Sequence, residues 1–166
     1  MPELQRLRAD HAPALLAFEL ENRDYFAASV PDRGDDYFAQ FDARHAALLA
    51  DQAAGLDHFH LLVGADGEVL GRVNLVDVTD GSAELGFRIA KSAARQGLAT
   101  SAVRRICVLA AGEYGLTSLR ARATHDNAGS RAVLTRAGFV PTGEITLSGQ
   151  PGTSYVRQLT AADAAG

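Results

Sequence analysis

The chain has 166 residues, a formal net charge of -4, 47% hydrophobic residues and 22% charged residues, values typical of a soluble globular protein of one domain. The negative charge argues against a nucleic-acid partner bound through a general basic surface, and the single cysteine, Cys107, excludes an internal disulfide. No apolar run approaches the roughly 20 residues of a membrane helix, and the N-terminus lacks a signal-peptide core. We therefore expect a cytoplasmic protein that binds neither membranes nor nucleic acid.

The first third of the chain predicts one strand followed by two helices. Leu4–Arg8 alternates apolar and polar residues, which indicates a strand, and His11–Asn22 has the composition of an amphipathic helix. A second helix is predicted from Asp35 or Asp36 to Ala54. Between them, Tyr25–Tyr37 contains three aromatics and a Pro-Gly break, so this segment is either a helix connection packed by its own aromatics or a wall of a substrate site.

The middle and end of the chain predict a meander of three strands, then α, β, α and a final hairpin. One predicted helix begins after Gly97, and another covers Ala128–Ala137. The predicted strands are Phe59–Val63, Val69–Val78, Glu84–Ile89, Leu119–Thr124, Phe139–Leu147 and Ser154–Leu159. This order predicts an α/β fold with one sheet and helices on both faces. We expect a core over residues 4–159 and a frayed tail over 160–166.

The turn before the helix at Gly97 is the candidate binding element. The segment Arg95-Gln96-Gly97-Leu98-Ala99-Thr100 joins a strand end to a helix start, where several backbone N–H groups lack helical partners. Such donors and the helix dipole favour an anion, phosphate above all. The alternative is an ordinary strand-to-helix turn that happens to contain glycine.

Other familiar sites are missing from the sequence. There is no phosphate loop with Gly-Lys-Ser/Thr, no dinucleotide fingerprint and no nucleophile elbow. His58 and His60 are two residues apart on a strand without an obvious third ligand, so we expect no metal. Cys107 stands among small and branched apolar residues, which predicts a packing role.

Two linked motifs carry a resemblance to a known family. The first is Glu84-Leu85-Gly86-Phe87-Arg88-Ile89 followed by the turn Gln96–Thr100, and the second is Asn127-x-x-Ser130-x-x-Val133-Leu134-x-Arg136-x-Gly138-Phe139. At a separation of about thirty residues they resemble the cofactor motifs of the GNAT superfamily of N-acetyltransferases. Within it, the chain is similar to the RimJ/RimL-like branch of ribosomal-protein N-terminal alanine acetyltransferases.

The resemblance implies one acetyltransferase domain over residues 1–166, with a mostly antiparallel twisted sheet of about seven strands. It implies acetyl-CoA as co-substrate and no metal. The residues that it assigns to the cofactor are Phe87, Ile89, Arg95, Gln96, Gly97, Leu98, Ala99, Thr100, Asn127, Ser130 and Arg136. One departure is Ala94, which occupies a position where the family usually has Arg or Gln.

The resemblance also implies catalytic roles. Amide formation needs a neutral amine, so a base must remove a proton from the ammonium, and Glu84 is the candidate. The alternative is that Glu84 is an exposed residue at a strand start without a catalytic role. A backbone bulge within Phe87–Ala90 is expected to turn an N–H toward the thioester oxygen. The helix Asn127–Ala137 lacks the Tyr that often protonates the thiolate in this superfamily, so Ser130 is the candidate acid, unless it only hydrogen-bonds its own backbone.

The acceptor is expected to enter from the side of the first two helices and the final hairpin, and the residues proposed to contact it are Asn22, Arg23, Tyr25 and Phe26. An N-terminal α-amine of a protein or peptide is the leading acceptor. The alternatives are a small amine, such as an antibiotic, polyamine or amino acid, and a GNAT module that binds acyl-CoA without turnover. The protein is expected to be a monomer or a homodimer.

Overall fold

The computed structural model describes residues 2–166 and contains a seven-stranded sheet with helices on both faces, which confirms the predicted α/β fold class. The strands are β1 Glu3–Arg6, β2 His58–Val63, β3 Val69–Thr79, β4 Ser82–Ile89, β5 Ser118–Thr124, β6 Val140–Leu147 and β7 Gln150–Gln158. The helices are α1 Ala12–Glu21, α2 Arg23–Ala27, α3 Asp35–Ala39, α4 Phe41–Ala53, α5 Leu98–Gly112, α6 Ala128–Arg136 and α7 Ala161–Ala165. Within residues 2–166, no helix combines the length and apolar composition needed to cross a membrane.

The sheet has the order β1-β2-β3-β4-β5-β7-β6, and β4–β5 is its parallel pair. This pair is short, running only from Ser82 opposite Ser118 to Glu84 opposite Arg120. Beyond it, β4 continues to pair with β3 and β5 continues to pair with β7, but β4 and β5 no longer pair with each other. A gap therefore opens in the middle of the sheet.

Each face of the sheet carries its own apolar core. Leu85 packs into the core under α5 and α6, and Phe87 and Ile89 pack against the edge of that core. The opposite face is covered by the core that includes Leu15, Phe18 and Phe26 of α1 and α2. Because successive side chains of a strand point to opposite faces, Glu84, Gly86 and Arg88 share the face toward α1 and α2.

Helix α5 packs through a stripe of small and branched side chains, among them Ala102, Val103, Ile106 and Ala110. Cys107 belongs to this stripe and is buried, and its burial raises the pKa of the thiol to about 11. A buried protonated thiol is a poor nucleophile, so Cys107 has the packing role that its neighbours predict.

Two predicted boundaries were wrong. The single helix expected up to Ala54 is divided at Gln40, whose φ of -108° and ψ of 21° separate α3 from α4. The last hairpin was expected to turn between strands ending at Leu147 and beginning at Ser154, but its turn is Ser148-Gly149, with φ of 50° and 78°. Two residues with positive φ match the twist of the adjoining strands, so β7 begins at Gln150 rather than Ser154.

The tail was expected to be frayed, and this was wrong as well. Residues 161–165 form α7, which begins with a reciprocal capping box between Thr160 and Asp163. Asp163 also accepts two hydrogen bonds of 2.9 Å from the guanidinium of Arg157. Helix α7 lies so close to α5 that a Cβ added to Gly112 would stand 3.1 Å from the carbonyl oxygen of Ala164.

Candidate active site

A cavity of about 610 Å³ lies where β4 and β5 separate, within the size range of small-molecule sites. Its walls come from the end of β4, the turn before α5, the first turns of α6, and α2 with the segment after it. Three arginines and a single carboxylate, Asp126, line this cavity. The cavity therefore joins both sequence motifs at the gap in the sheet.

The start of α5 forms the anion-binding part of this cavity. Gly97 caps the helix with a φ of 75°, a left-handed conformation that costs glycine little. The first hydrogen bond of the helix runs from Ser101 N to Gly97 O at 3.1 Å, so the N–H groups of residues 98–100 have no intrahelical acceptor. These donors and the positive end of a 15-residue helix favour a phosphate group.

The end of β4 offers main-chain groups to the same cavity. Ala90 N donates to Leu70 O of the neighbouring segment at 2.8 Å, and hydrogen-bonding direction alternates along a strand. Phe87 and Ile89 therefore direct their N–H and C=O groups away from β3, into the gap. An extended ligand arm can pair with such groups as an added strand would.

The expected bulge within Phe87–Ala90 was wrong. The register between β3 and β4 is continuous from Leu75 opposite Leu85 to Gly71 opposite Ile89. The register shift lies opposite the start of β4, between Val76 and Thr79 of β3, where Asp77 has a φ of 55°. The N–H groups in the gap are exposed because β5 diverges, without a local distortion of β4.

Helix α6 supplies the opposite wall. Asn127 caps it, its Oδ1 accepting a hydrogen bond from Ser130 N at 3.2 Å. The hydroxyl of Ser130 has no hydrogen-bond partner among residues 2–166 and lines the cavity. The cap is thus made by Asn127, and the Ser130 Oγ–H is not used by the helix.

Ten of the eleven residues predicted to bind the cofactor line the cavity: Phe87, Ile89, Arg95, Gly97, Leu98, Ala99, Thr100, Asn127, Ser130 and Arg136. Gln96 does not, and its side-chain nitrogen lies 3.5 Å from Ser92 O. Ala94, at the departure from the family pattern, lines the cavity with a methyl group only, and the adjacent Arg95 also lines it.

Glu84, the predicted base, does not line this cavity, and it lies on the face of β4 that also carries Gly86 and Arg88. Its Oε2 accepts a 2.8 Å hydrogen bond from Arg122 Nη2, and its side chain is 22% exposed. Two residues along the strand, Gly86 is exposed although β4 is a central strand, and a Cβ added there would meet nothing within 4 Å. The sheet is thus uncovered beside Glu84 and next to the gap.

The comparison with protein families gives one match that covers most of the chain. Residues 3–140 match the model described as "Acetyltransferase (GNAT) domain". The chain belongs to the GNAT acetyltransferase family. GNAT acetyltransferases use acetyl-CoA, so the cavity can be tested against that molecule.

Two solved structures similar to this chain are named for different acceptors. The curated relative "Probable N-acetyltransferase YjcK" of Bacillus subtilis strain 168 is 29% identical over 139 residues, covering 80% of this chain and 77% of its own. The solved ribosomal-protein-S5-alanine acetyltransferase from Vibrio fischeri has a TM-score of 0.90 at 17% identity, covering 96% and 94% of the two chains. A solved point mutant of spermidine N-acetyltransferase SpeG from Vibrio cholerae has a TM-score of 0.77 at 14% identity, and the match covers 95% of each chain. These similarities show a common fold.

The cavity of this acetyltransferase has the donor set that acetyl-CoA needs. A pyrophosphate matches the free N–H groups of residues 98–100. An amide-containing pantetheine arm matches the main-chain groups of Phe87 and Ile89, and Arg95 and Arg136 add positive charge.

The four residues predicted to contact the acceptor divide into two pairs. Tyr25 and Phe26 line the cavity, whereas Asn22 and Arg23 do not. Asn22 is buried and joins two segments, its Nδ2 donating to Phe18 O and its Oδ1 accepting from Lys91 N, both at 2.9 Å. Arg23 binds the carboxylates of Asp32 and Asp35.

Sequence reasoning missed a buried ionic cluster beside the cavity. Glu19 of α1 is 1% exposed and accepts hydrogen bonds from Arg72 Nη1 at 2.7 Å, Arg33 Nε at 3.0 Å and Arg88 Nη1 at 3.2 Å. Burial opposes ionisation of Glu19, but the three guanidinium groups outweigh it and hold the pKa of this carboxyl below its usual value. The available signal was Arg72, a charged residue inside the apolar strand β3.

His58 and His60 belong to an aromatic cluster with Tyr114. The ring of His58 stacks on Tyr114 with centroids 3.8 Å apart, and His60 Nε2 lies 2.6 Å from the Tyr114 hydroxyl. Burial and the charge of Arg6 lower the pKa of His60 to about 4. Within residues 2–166, no group of three or more His, Cys, Asp or Glu side chains is arranged to hold a metal ion.

Proposed function

We propose that this protein transfers the acetyl group of acetyl-CoA to the N-terminal α-amine of a protein or peptide. The observation that supports this most is the two-sided gap between β4 and β5. One side carries the donors of α5 and the hydroxyl of Ser130, and the other carries Glu84 beside the uncovered backbone of Gly86. An acyl donor and an amine can thus approach the same point from opposite faces.

Acetyl-CoA, when bound, supplies an acyl group activated as a thioester. The N–H groups of Leu98, Ala99 and Thr100 bind its pyrophosphate, and the main chain of Phe87 and Ile89 orients the pantetheine arm. Gly97 has no side chain, so the phosphates can approach its backbone closely. Its φ of 75° is also a left-handed conformation that residues with a Cβ rarely adopt.

Glu84 acts as the base. An α-amine has a pKa of about 7.7–8.0, so at neutral pH most of it is protonated and cannot attack a carbonyl. The Glu84 carboxylate takes one proton from the ammonium, directly or through a water molecule. Arg122 fixes the orientation of this carboxylate through its 2.8 Å hydrogen bond.

Ser130 acts as the acid. As the C–N bond forms and the C–S bond breaks, negative charge develops on sulfur. The Ser130 hydroxyl, which has no other partner among residues 2–166, donates its proton to the thiolate. The attacking nitrogen loses its second proton as the amide forms, and Ser130 regains a proton from it through solvent. This interaction becomes stronger as charge develops, which is the property of a group that lowers a barrier.

The lining of the site favours a peptide amine over a polyamine. Spermidine carries several positive charges, and a site for it needs several carboxylates. On the face of β4 that carries Glu84, the charged residue that lines the cavity is Arg88, a cation that would repel a polyamine. The backbone at Gly86 is exposed along β4, and a Cβ added there would meet nothing within 4 Å, which leaves room for an extended chain terminus.

An acceptor screen tests the proposed function. The protein is incubated with acetyl-CoA and with N-terminal peptides, spermidine, aminoglycosides and free amino acids, and thiol release and product mass are measured. Transfer to peptide α-amines is the expected result. Faster transfer to a small amine would replace the proposed acceptor, and binding of acetyl-CoA without any transfer would indicate a non-catalytic module.

A further inference from the structure

The ionic cluster next to the cavity has an excess of positive charge. Its one carboxylate, Glu19, is shared by Arg33, Arg72 and Arg88, which leaves two positive charges without a partner. The Nε of Arg72 is buried and has no hydrogen-bond partner within residues 2–166. Unpaired buried charge is costly, so an excess of this kind is typical of a site that awaits an anion.

The neighbouring acidic groups reduce this excess from two positive charges to one but do not remove it, because Asp32 borders the same small cavity as Arg33 and Arg88 and shares one guanidinium with Asp35. Asp32 and Asp35 both bind Arg23, at 2.8 Å each. On the outer side, Arg44 lies over the Tyr37 ring at 5.7 Å and adds a further positive charge. Glu21 and Asp24 of the covering helices are exposed and make no hydrogen bond to the arginines of the cluster.

Arg88 is the member of the cluster that reaches the cavity. Its Nη1 binds Glu19, and its guanidinium lies 4.6 Å from the centre of the Phe26 ring, which fixes the side chain. Its Nε and Nη2 have no hydrogen-bond partner among residues 2–166, and the side chain is 22% exposed in the cavity wall. Burial lowers the pKa of Arg88 to about 10, which leaves it charged at neutral pH.

Arg88 also stands in line with the proposed base. Glu84, Gly86 and Arg88 share one face of β4, and four residues of strand span about 13 Å between the Cα atoms of Glu84 and Arg88. Glu84 and Arg88 therefore lie on either side of the uncovered backbone at Gly86. A chain terminus lying over Gly86 would have its amine near Glu84 and its following residues near Arg88.

We infer that the acceptor carries a carboxylate close to its amine, and that Arg88 binds this carboxylate; the inference rests on the proposed transfer to an α-amine. An N-terminal peptide with an acidic residue among its first few positions fits this arrangement. A free amino acid has the same chemistry in its α-carboxylate but a much shorter span. A polyamine has no group for Arg88.

The first experiment compares matched acceptors. Three amidated peptides that begin Ala-Asp-Asp, Ala-Asn-Asn and Ala-Lys-Lys, with free glutamate and spermidine, are assayed for kcat/KM with acetyl-CoA. We expect the acidic peptide to exceed the neutral one by about 10- to 100-fold, the size of a charge-assisted hydrogen bond. The ratio should fall as salt is raised. Equal values, or a preference for Ala-Lys-Lys or spermidine, would overturn the inference, and a preference for free glutamate would assign the carboxylate to the amino acid itself.

The second experiment removes Arg88. In Arg88→Gln, Glu19 keeps Arg33 and Arg72, so its charge stays paired. The ratio of acidic to neutral peptide is expected to fall toward one, and Arg88→Lys is expected to restore part of it. The matched control is Arg44→Gln, which removes a charge near the cluster from an exposed position outside the cavity and should keep the ratio. An unchanged ratio in a folded Arg88→Gln protein would contradict the role of Arg88.

Calorimetry separates this inference from the proposed function. The same peptides are titrated into the complex of the protein with CoA, where no acetyl group can be transferred. Tighter binding of the acidic peptide supports the inference even if no acceptor is acetylated. Acetyl transfer to peptides without any preference in rate or binding would keep the proposed function and refute the inference.

Discussion

Gly97 links a backbone conformation to ligand binding. Gly97→Val imposes a side chain on a φ of 75°, which costs about 1–2 kcal/mol, and it should weaken acetyl-CoA binding about tenfold or more because it disturbs the donors of α5. Gly55→Val is the matched control, with a φ of 76° and equally open surroundings but a position outside the cavity. Calorimetry should show lost affinity in the first variant only, and equal affinity in both would remove the turn from the binding site.

Ser130 and Asn127 lie in the first turn of α6, and substituting each of them tests whether the residue acts in catalysis or in helix stability. Ser130→Ala should slow the single-turnover rate while the melting temperature stays close to that of the wild type, because the hydroxyl is not part of the cap. Asn127→Ala removes the cap and should cost about 1 kcal/mol of stability. A wild-type rate with a lowered melting temperature in Ser130→Ala would assign the acid to water or another group.

Glu84 can be tested through the pH dependence of the rate. Glu84→Gln should lower turnover by about 10²–10⁴-fold near neutral pH, the usual contribution of a positioned base. The loss should become smaller above the pKa of the α-amine, about 7.7–8.0, where the amine is already neutral. Rates measured from pH 6 to 10 check this, and an undiminished rate at pH 7 would exclude Glu84 from proton transfer.

At the residue scale, sequence reasoning succeeded where the signal was local. Gly97 and Asn127 lie at helix starts, and their structural roles follow from their immediate neighbours. The partners of Glu19 could not be predicted, because Arg72 and Arg88 are 53 and 69 residues away in sequence. Such contacts depend on strand register and on how α1 lies across the sheet.

Among the elements, α7 shows how a short polar tail becomes ordered. Thr160-x-x-Asp163 is a readable capping signal, but five residues of helix are too few to be stable alone. The decisive contacts are the bidentate pair between Asp163 and Arg157 and the close packing on α5. Neither can be derived from the tail itself, which is why composition predicted fraying.

The pairing of Asp163 predicts a pH-dependent contribution to stability. Arg157 and the cap lower the pKa of Asp163 from its usual 3.8 to about 2. The stabilisation is therefore complete above pH 3.8 and is lost as the pH falls toward 2. Asp163→Asn should lower the melting temperature at pH 7, and its difference from the wild type should shrink between pH 4 and 2. Asp24→Asn, an exposed control, should not reproduce this trend.

For the whole molecule, the sequence predicted the order of elements and the number of strands, but not which strands pair or over what length they pair. Alternation along Glu84–Ile89 identifies a strand, yet nothing local indicates that its pairing with β5 stops after three residue pairs. The position of β7 between β5 and β6 is likewise set by long-range pairing. The cavity exists because of this incomplete pairing, so its shape could not be predicted from local patterns.

Hydrogen exchange tests the ligand's place in the sheet. Without ligand, the amides of Phe87 and Ile89 face the gap, whereas the amide of Arg88 points toward β3. Acetyl-CoA should slow exchange at Phe87 and Ile89 and change that of Arg88 much less. Equal protection at all three positions would mean that the ligand does not pair with the edge of β4.

The short contact between β4 and β5 also has a consequence for cooperativity. Strands β1–β4 and β5–β7 are joined within the sheet by only three residue pairs, although the core under α5 and α6 packs against both halves. A ligand seated between them acts as a missing strand and adds hydrogen bonds to the weakest boundary of the fold. Because that core already couples the two halves, the protein should unfold in one transition, and the midpoint temperature of this transition should rise as the concentration of acetyl-CoA is raised.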